Sequence, residues 1–163
     1  QAGHSAYPES GLSALHQLVD DAHRLPHSDW PRDVVFGETT VNIGTMEGGH
    51  ASNVIADRAA MRGVIRCSVD VRQISALLRQ RLHPTTQLDI RSASSPPHLE
   101  VPKGQNGVVV GFGSDVPHLR ACGAPMLFGP GSILDAHTSH ERVRIADLHL
   151  AVAQYVATAQ MLR

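Results

Sequence analysis

The hydrophobic pattern changes its period several times within the first 93 residues, and this order constrains the fold more than any other feature. Apolar residues recur at helical spacing in two segments and follow strand-like patterns in three: 12–24 and 69–82, then 38–46, 57–67 and 85–93. Pro26 and Pro84 end the two helical patterns. With one more strand before Gln1, this order is that of a split βαββαβ unit. We therefore predict an α/β protein that opens with an incomplete ferredoxin-like unit.

A composition break at residues 94–97, which read Ser-Ser-Pro-Pro, predicts a domain boundary. We therefore assign residues 1–97 to one domain and residues 98–163 to a second. The second domain contains a short apolar strand at 126–128 and a long amphipathic helix over about 144–163. These elements include too few strands to close a sheet alone, so this part is expected to pack against further protein.

Charge and composition exclude several classes of partner. Lys and Arg total 14 against 15 Asp and Glu, and aromatic residues make up 4%, so neither a basic nor a base-stacking surface for nucleic acid is expected. No apolar run reaches the roughly 20 residues of a membrane span, and the N-terminus lacks the features of a signal peptide. Cys67 and Cys122 stand far apart and are expected to be reduced core thiols rather than a disulfide. A cytoplasmic protein fits this pattern.

Four short motifs occur along the chain in an order that points to a function. They are Gly3-His4-Ser5 with Pro8, Asn53-Val54-Ile55, Gly129-Pro130-Gly131, and Ala136-His137-Thr138. Together they resemble the dinuclear-zinc deacylase and carboxypeptidase family of acetylornithine deacetylase, succinyl-diaminopimelate desuccinylase, aminoacylase and glutamate carboxypeptidase. The resemblance covers nearly the whole chain, but only the lid domain and the C-terminal part of the catalytic domain of such an enzyme. Ala56 stands where the family usually has proline, so this loop is expected to be less rigid.

The resemblance implies catalytic and substrate-binding roles for three residues of the lid. His4 corresponds to the histidine that donates a hydrogen bond to the developing oxyanion, in the active site of the partner subunit. Asn53 and Arg66 correspond to the pair that holds the substrate carboxylate, a task suited to a guanidinium fork assisted by an amide. Arg62 and Arg58 compete with Arg66 for this role because they share its strand face.

The resemblance also implies metal and substrate contacts near the C-terminus. His137 corresponds to the last metal ligand of the family, with His140 as the weaker alternative, and the Gly131 backbone lies beside the substrate. The family uses two zinc ions, or cobalt, and this chain is expected to supply at most one ligand. The family's Glu-Glu pair, one glutamate of which acts as general base, has no counterpart here.

The intact enzyme is therefore expected to be a metal-dependent amide hydrolase that deacylates N-acyl amino acids or cleaves a C-terminal amino acid. The alternative is a catalytically incomplete dimerisation module that lacks most metal ligands. In either case we expect a homodimer formed through the lid, because the edge strand near 39–46 carries few charges and is free to pair with its copy. The chain alone is expected to be inactive.

Overall fold

The computed structural model describes residues 1–119, 121 and 123–161. The chain forms two compact units, Gln1–Pro96 with Val109–Gly113, and Pro97–Val108 with Ser114–Arg163. The prediction placed a single boundary after residue 97, whereas the chain here returns to the first unit for five residues. The assignment of the two parts to a lid and a catalytic piece stays a prediction at this stage.

The first unit contains six short or medium strands and two α-helices in the described residues. Their order is β1 (Gly3–His4), α1 (Ala14–Arg24), β2 (Arg32–Asp33), β3 (Gly37–Glu38), β4 (Thr40–Gly48), β5 (Val54–Ile55), β6 (Ala59–Arg66) and α2 (Val71–Arg81). Three antiparallel pairs result, β1 with β5, β2 with β3, and β4 with β6. The predicted α/β class is confirmed, together with both helices of this unit and its two longer strands.

The long β4–β6 hairpin is the main sheet of the first unit. Thr40 pairs with Arg66 at one end and Gly48 pairs with Ala59 at the other, with a register shift beside Gly44. A Cβ atom on Gly63 would lie 2.7 Å from the carbonyl oxygen of Asn42. Only glycine fits there, because the two strands approach each other so closely. The hairpin is held at its open end by Thr39 and Ser68, which are both buried.

Thr39 and Ser68 form a small closed hydrogen-bond network. The Ser68 hydroxyl donates to the carbonyl of Pro31 at 3.1 Å and lies 2.9 Å from the Thr39 hydroxyl. The Ser68 N–H donates to the same Thr39 oxygen at 3.1 Å. Because every buried polar group of this network has a partner, the residues flanking β4 and β6 are tied together without a desolvation penalty.

Helix α1 packs on this hairpin through its apolar side. Ser13 caps its N-terminus by accepting a hydrogen bond from the His16 N–H at 3.2 Å. Leu18 and, just after the helix, Leu25 are buried, as the helical spacing predicts. Helix α2 begins in the same way, with Asp70 accepting from the Arg72 N–H at 2.8 Å, and it buries Ile74 almost completely.

The strand predicted for residues 85–93 is absent from the described structure. A strand needs a neighbour to share its ladder of hydrogen bonds, and no described segment pairs with this one. At its start, the Thr86 N–H donates to the His83 carbonyl at 2.8 Å, and the Thr86 hydroxyl donates to the buried carboxylate of Asp21 at 2.7 Å. The described sheets have two strands each, so the ferredoxin-like arrangement of strands stays a prediction.

Asp21 is fully buried on α1 and joins that helix to the segment after α2. Its carboxylate accepts hydrogen bonds from the His83 N–H at 3.0 and 3.3 Å and from the Thr86 hydroxyl at 2.7 Å. The Arg24 guanidinium also donates to it. One turn earlier, Gln17 accepts from the Thr85 hydroxyl at 2.9 Å. These contacts hold the segment that follows α2, from His83 to Thr86, against the side of α1.

The second unit is built around one long helix in the described residues. Helix α3 (Ile145–Met161) follows two short 3₁₀ turns, Val116–His118 and Ile133–Asp135. Tyr155 donates a hydrogen bond to the carbonyl of Phe128 at 2.9 Å, and the two rings meet edge to face at 4.9 Å. The predicted final helix is confirmed over its described residues. The strand predicted at 126–128 is wrong, because this segment is held by α3 rather than by a strand partner.

Two further expectations concern membrane segments and thiols. Over the part of the chain that the structure describes, no helix combines the length and hydrophobicity that crossing a membrane requires. Cys67 is a free thiol, partly rather than fully buried, and this burial raises its pKa. The other cysteine of the prediction, Cys122, lies outside the described residues.

Replacing Asp21 with asparagine in the full-length protein should lower the free energy of unfolding by about 2–4 kcal/mol. The asparagine NH₂ group would face N–H and O–H donors instead of accepting from them, inside a site closed to water. Urea denaturation measures the loss. Asp20→Asn, on the exposed side of the same helix, is the matched control and should change stability by less than about 0.5 kcal/mol. Equal midpoints for the two variants would contradict a structural role for Asp21.

Candidate functional site

His4 is the last residue of β1, and the pairing of this strand places it beside Asn53. His4 pairs with Val54, and the Ser5 N–H donates to the carbonyl of Asn53 at 3.0 Å. Both side chains are exposed. Two of the predicted site residues, separated by 49 positions in the sequence, therefore lie next to each other on the surface of the first unit.

The hydrogen bonding of the His4 ring decides which of its nitrogens carries a proton. The backbone N–H of Ala6 donates to Nδ1 of His4 at 3.1 Å, so Nδ1 acts as an acceptor. In the neutral ring the proton must then sit on Nε2. His4 consequently presents an N–H donor outward, while the Tyr7 ring stands edge-on at 6.1 Å between centroids.

Close packing under this strand pair explains the first glycine of the motif. A Cβ atom on Gly3 would lie 2.8 Å from the Ser10 hydroxyl oxygen and 3.2 Å from Cδ1 of Ile55. The segment around Ala56 is anchored rather than loose, because Ala56 is buried and its carbonyl accepts from the Ala14 N–H at 2.8 Å. The expected loss of rigidity from the missing proline is therefore offset by this bond.

Arg66 ends strand β6 with an exposed guanidinium. Within the described residues no carboxylate forms an ion pair with it. A Cβ atom on Gly113 would lie 3.0 Å from Nη1 of Arg66, so the guanidinium lies close to the chain at this one glycine. Of the two rivals, Arg62 lies two pleats back on the same strand, whereas Arg58 lies just before the strand begins.

Gly131 lies in a loop that closes one end of an open cavity of about 650 Å³ in the second unit. Its backbone has φ +84°, a conformation that strains any residue with a Cβ atom. Across the cavity, Arg144 donates two hydrogen bonds to Asp147, at 2.9 and 2.8 Å. This pairing holds the pKa of the Asp147 carboxyl below its usual value.

His137 has a left-handed backbone, with φ 60°. Among the non-glycine residues that the structure describes, only His137 has a positive φ. Its N–H donates to Oε2 of Glu141 at 2.9 Å. The turn between them is closed by Thr138, whose hydroxyl donates to the carbonyl of Asp135 at 2.8 Å and accepts from the His140 N–H at 3.2 Å. The loop thus holds the His137 backbone in a strained conformation and leaves the side chain exposed. Such outliers are concentrated at functional sites.

Ligands for a metal are not gathered in the described residues. No three His, Cys, Asp or Glu side chains among residues 1–119, 121 and 123–161 are placed to hold an ion together. A His-x-Asp triplet was not expected in this chain, yet one occurs at His27-Ser28-Asp29. It lies in the turn after α1, where Nδ1 of His27 contacts the His23 carbonyl. The loop at His137 can therefore offer one imidazole, and any further ligands must come from other parts of the intact protein.

The predicted residues fall into two groups, and one residue with a structural role was not predicted. The first unit carries His4, Asn53 and Arg66, and the second carries Gly131 and His137. The nearness of Glu141 to His137, four residues on in the sequence, supports the assignment of this histidine, and the structure shows a hydrogen bond between the two. The buried Asp21 was missed, and its only signal is a polar residue three positions after Leu18 on the apolar side of α1.

Comparison with known proteins identifies the family. Residues 1–87 match the peptidase dimerisation domain of the M20 family. The chain is 35% identical to a peptidase M20 domain-containing protein of Schizosaccharomyces pombe, covering 91% of this chain and 38% of that protein. It is also 35% identical to a probable carboxypeptidase of Aspergillus terreus, covering 95% of this chain and 42% of that protein. The chain thus spans about two fifths of the length of these curated relatives.

Solved structures show the same fold. A tripeptidase of Staphylococcus aureus superposes with a TM-score of 0.68 at 22% identity, over 97% of this chain and 48% of that one. The aminopeptidase PepT of Bacillus cereus superposes with a TM-score of 0.60 at 19% identity, over 99% of this chain and 48% of that one. The chain belongs to the M20 metallopeptidase family, and its first 87 residues correspond to the dimerisation, or lid, domain of that family.

Proposed function

We propose that the intact protein is a metal-dependent amide hydrolase that removes a C-terminal amino acid from a peptide or an acyl group from an N-acyl amino acid. The observation that carries this proposal is the pairing of His4 with Val54, which brings His4 beside Asn53, with Nδ1 of His4 accepting from the Ala6 N–H at 3.1 Å. The names of the curated relatives favour the carboxypeptidase form. The alternative to carboxypeptidase activity is deacylation of N-acyl amino acids, with a specificity like that of acetylornithine deacetylase.

The chemistry of amide hydrolysis explains why an outward N–H donor suits this position. Attack on an amide carbonyl puts negative charge on its oxygen, and a donor that is already oriented stabilises that charge without reorganisation. The His4 ring is held by its Nδ1 acceptor bond, so its Nε2–H is oriented before substrate arrives. In a homodimer the lid would present this donor to the active site of the partner subunit.

Arg66 and Asn53 are proposed to hold the free carboxylate of the substrate. The Arg66 guanidinium is exposed and has no ion pair in the described residues, so its fork is available for two parallel hydrogen bonds. Asn53 can add an amide donor. On the second unit, the glycine backbone at Gly131 leaves room for a substrate to lie against the loop.

The metal centre of the intact enzyme is proposed to hold two zinc or cobalt ions, with His137 as the one ligand supplied here. When bound, such ions would supply Lewis acidity and an activated water. Glu141 is a positioning residue in this scheme, because its carboxylate holds the His137 N–H and with it the left-handed backbone. Much of the exposed surface of α3 is apolar, with Ile145 at 71% and Val152 at 62% exposure, and this supports burial of the helix in the complete catalytic domain.

In the full-length protein, His4→Ala should lower kcat on peptide or N-acyl substrates about 10²–10³-fold with little change in KM, because the lost donor acts in the transition state. Arg66→Ala should instead lower kcat/KM for substrates with a free carboxylate, by an amount that corresponds to a loss of about 2–4 kcal/mol of transition-state stabilisation. Steady-state kinetics on substrate pairs with a carboxylate or a carboxamide measures both effects.

The matched control for Arg66 is Arg62→Ala, on the same strand. It should leave discrimination between the carboxylate and carboxamide substrates intact. Equal losses for Arg66→Ala on both substrates would make Arg66 a structural residue. A wild-type protein that hydrolyses none of the peptides or N-acyl amino acids would leave the dimerisation-module alternative.

Metal content tests the role of His137 separately. His137→Ala should remove about one metal ion per chain, since the loss of one ligand from a site with three or four ligands removes most of its affinity. Glu141→Ala should weaken metal binding about 10–100-fold, as the loss of an orienting partner does, while Glu141→Gln should keep most of it because an amide oxygen still accepts the His137 N–H. Elemental analysis after dialysis gives the stoichiometry.

His140→Ala is the control for the metal experiment, because His140 is exposed on the same loop. It should keep the wild-type metal content. Loss of metal from His140→Ala together with retention in His137→Ala would show that the ligand was assigned to the wrong histidine.

Dimerisation is proposed to use the edge of β4 with which none of the described strands pairs; its other edge pairs with β6. Thr45→Lys should weaken the dimer at least about tenfold, because two lysines would meet across the symmetry axis and an edge lysine opposes strand pairing. Sedimentation velocity at micromolar concentration measures the effect. The control is Ala60→Lys. Ala60 lies on β6, where it pairs with Glu47 of β4, and the variant protein should stay dimeric. A wild-type protein that is monomeric at these concentrations would contradict the proposal.

A further inference from the structure

Two histidines at the C-terminal end of α1 lie next to each other on the surface. His23 is in the last turn of the helix and His27 in the turn that follows, and both are exposed. Their ring centroids are 4.8 Å apart, and the ring planes are tilted by 35°. Neither residue belongs to the motifs assigned to the reaction.

The backbone orients one of these rings in the way that metal-binding histidines are oriented. Nδ1 of His27 lies 2.6 Å from the carbonyl oxygen of His23. A carbonyl oxygen can only accept, so Nδ1 carries the proton and Nε2 of the neutral ring has a free lone pair. A ring nitrogen bonded to a backbone carbonyl is the usual support for an imidazole that ligates a metal through its other nitrogen.

The spacing of the two rings fits binding to one ion. Two imidazole nitrogens about 2.0–2.1 Å from one metal, at adjacent coordination positions, place their ring centres roughly 4.5–5 Å apart. The observed separation of 4.8 Å lies in this range. The C-terminal end of a helix also favours a cation, because its last carbonyl oxygens carry partial negative charge.

The surroundings leave the site open to solvent without a strong opposing charge. The neighbouring Arg24 guanidinium is engaged by the Asp21 carboxylate, and Asp20 adds a negative charge one turn earlier on α1. In the part of the chain that the structure describes, no third His, Cys, Asp or Glu joins the pair as a ligand. Water molecules would therefore complete the coordination, as they do in open sites.

We propose that His23 and His27 form a two-histidine site for a borderline divalent transition-metal ion, of the class of Cu²⁺, Ni²⁺ and Zn²⁺. Imidazole suits this class, and Cu²⁺ is bound most strongly in the divalent series. The site lies on the dimerisation domain and is separate from the single imidazole that His137 offers. Its occupancy does not depend on whether the proposed hydrolase activity is correct.

The test is a Cu²⁺ titration of the full-length protein whose catalytic centre already holds its own metal, followed by calorimetry and by electron paramagnetic resonance. The wild type should take up one Cu²⁺ per chain with two nitrogen ligands at this site. His23→Ala and His27→Gln should each weaken that binding at least about tenfold, because a chelate loses its second, pre-positioned ligand, and each should remove one nitrogen from the spectrum. The glutamine keeps a donor for the His23 carbonyl and so preserves the turn.

The control is His16→Ala, an exposed histidine on the same helix two turns before His23. It should bind Cu²⁺ as the wild type does. Wild-type binding by both His23→Ala and His27→Gln would overturn the proposal. It would also be overturned if His16→Ala weakened binding to the same extent, since copper would then be taken up by scattered surface imidazoles.

Discussion

A buried carboxylate on α1 fixes how the first unit closes. Asp21 has no exposed surface, and a carboxylate removed from water is stable only where donors surround it. Its donors come from the backbone of His83 and the hydroxyl of Thr86, 62 and 65 positions along the chain. Because α1 also packs on the β4–β6 hairpin, this one group sets where the chain can run after α2. The segment after α2 is anchored here at its start, and it forms no strand in the described residues.

The residues proposed for chemistry sit at the ends of this scaffold rather than within it. His4 and Asn53 lie on two-residue strands that have little stability of their own. Their position is fixed by close packing under Gly3 and Gly11, where an added Cβ would come within 2.8 Å of a neighbouring atom. Exposed side chains on a firmly held backbone combine access to substrate with a defined direction.

A similar arrangement holds His137 in the second unit. A left-handed backbone at a residue with a Cβ costs free energy, of the order of 1 kcal/mol. Here the loop offsets that cost with a carboxylate bond to the histidine N–H and a threonine that closes the turn. Local bonds of this kind fix the backbone that carries one imidazole, but they do not gather several ligands. The proposed metal centre would therefore need groups from elsewhere in the intact protein.

The periodicity of the sequence by itself determined the three α-helices and the two long strands, because helix and strand patterns depend on neighbours within one or two turns. The motifs also pointed to the family and to His4, Asn53, Arg66, Gly131 and His137, whose roles stay predictions. Tertiary structure alone decided that residues 85–93 and 126–128 are not strands, because a strand exists only if a distant segment pairs with it. It also decided the proton position on His4, the backbone of His137, the burial of Asp21 and the pairing of His23 with His27. Each of these depends on hydrogen-bond partners and close contacts that no local pattern encodes, and so appears only when the chain is folded.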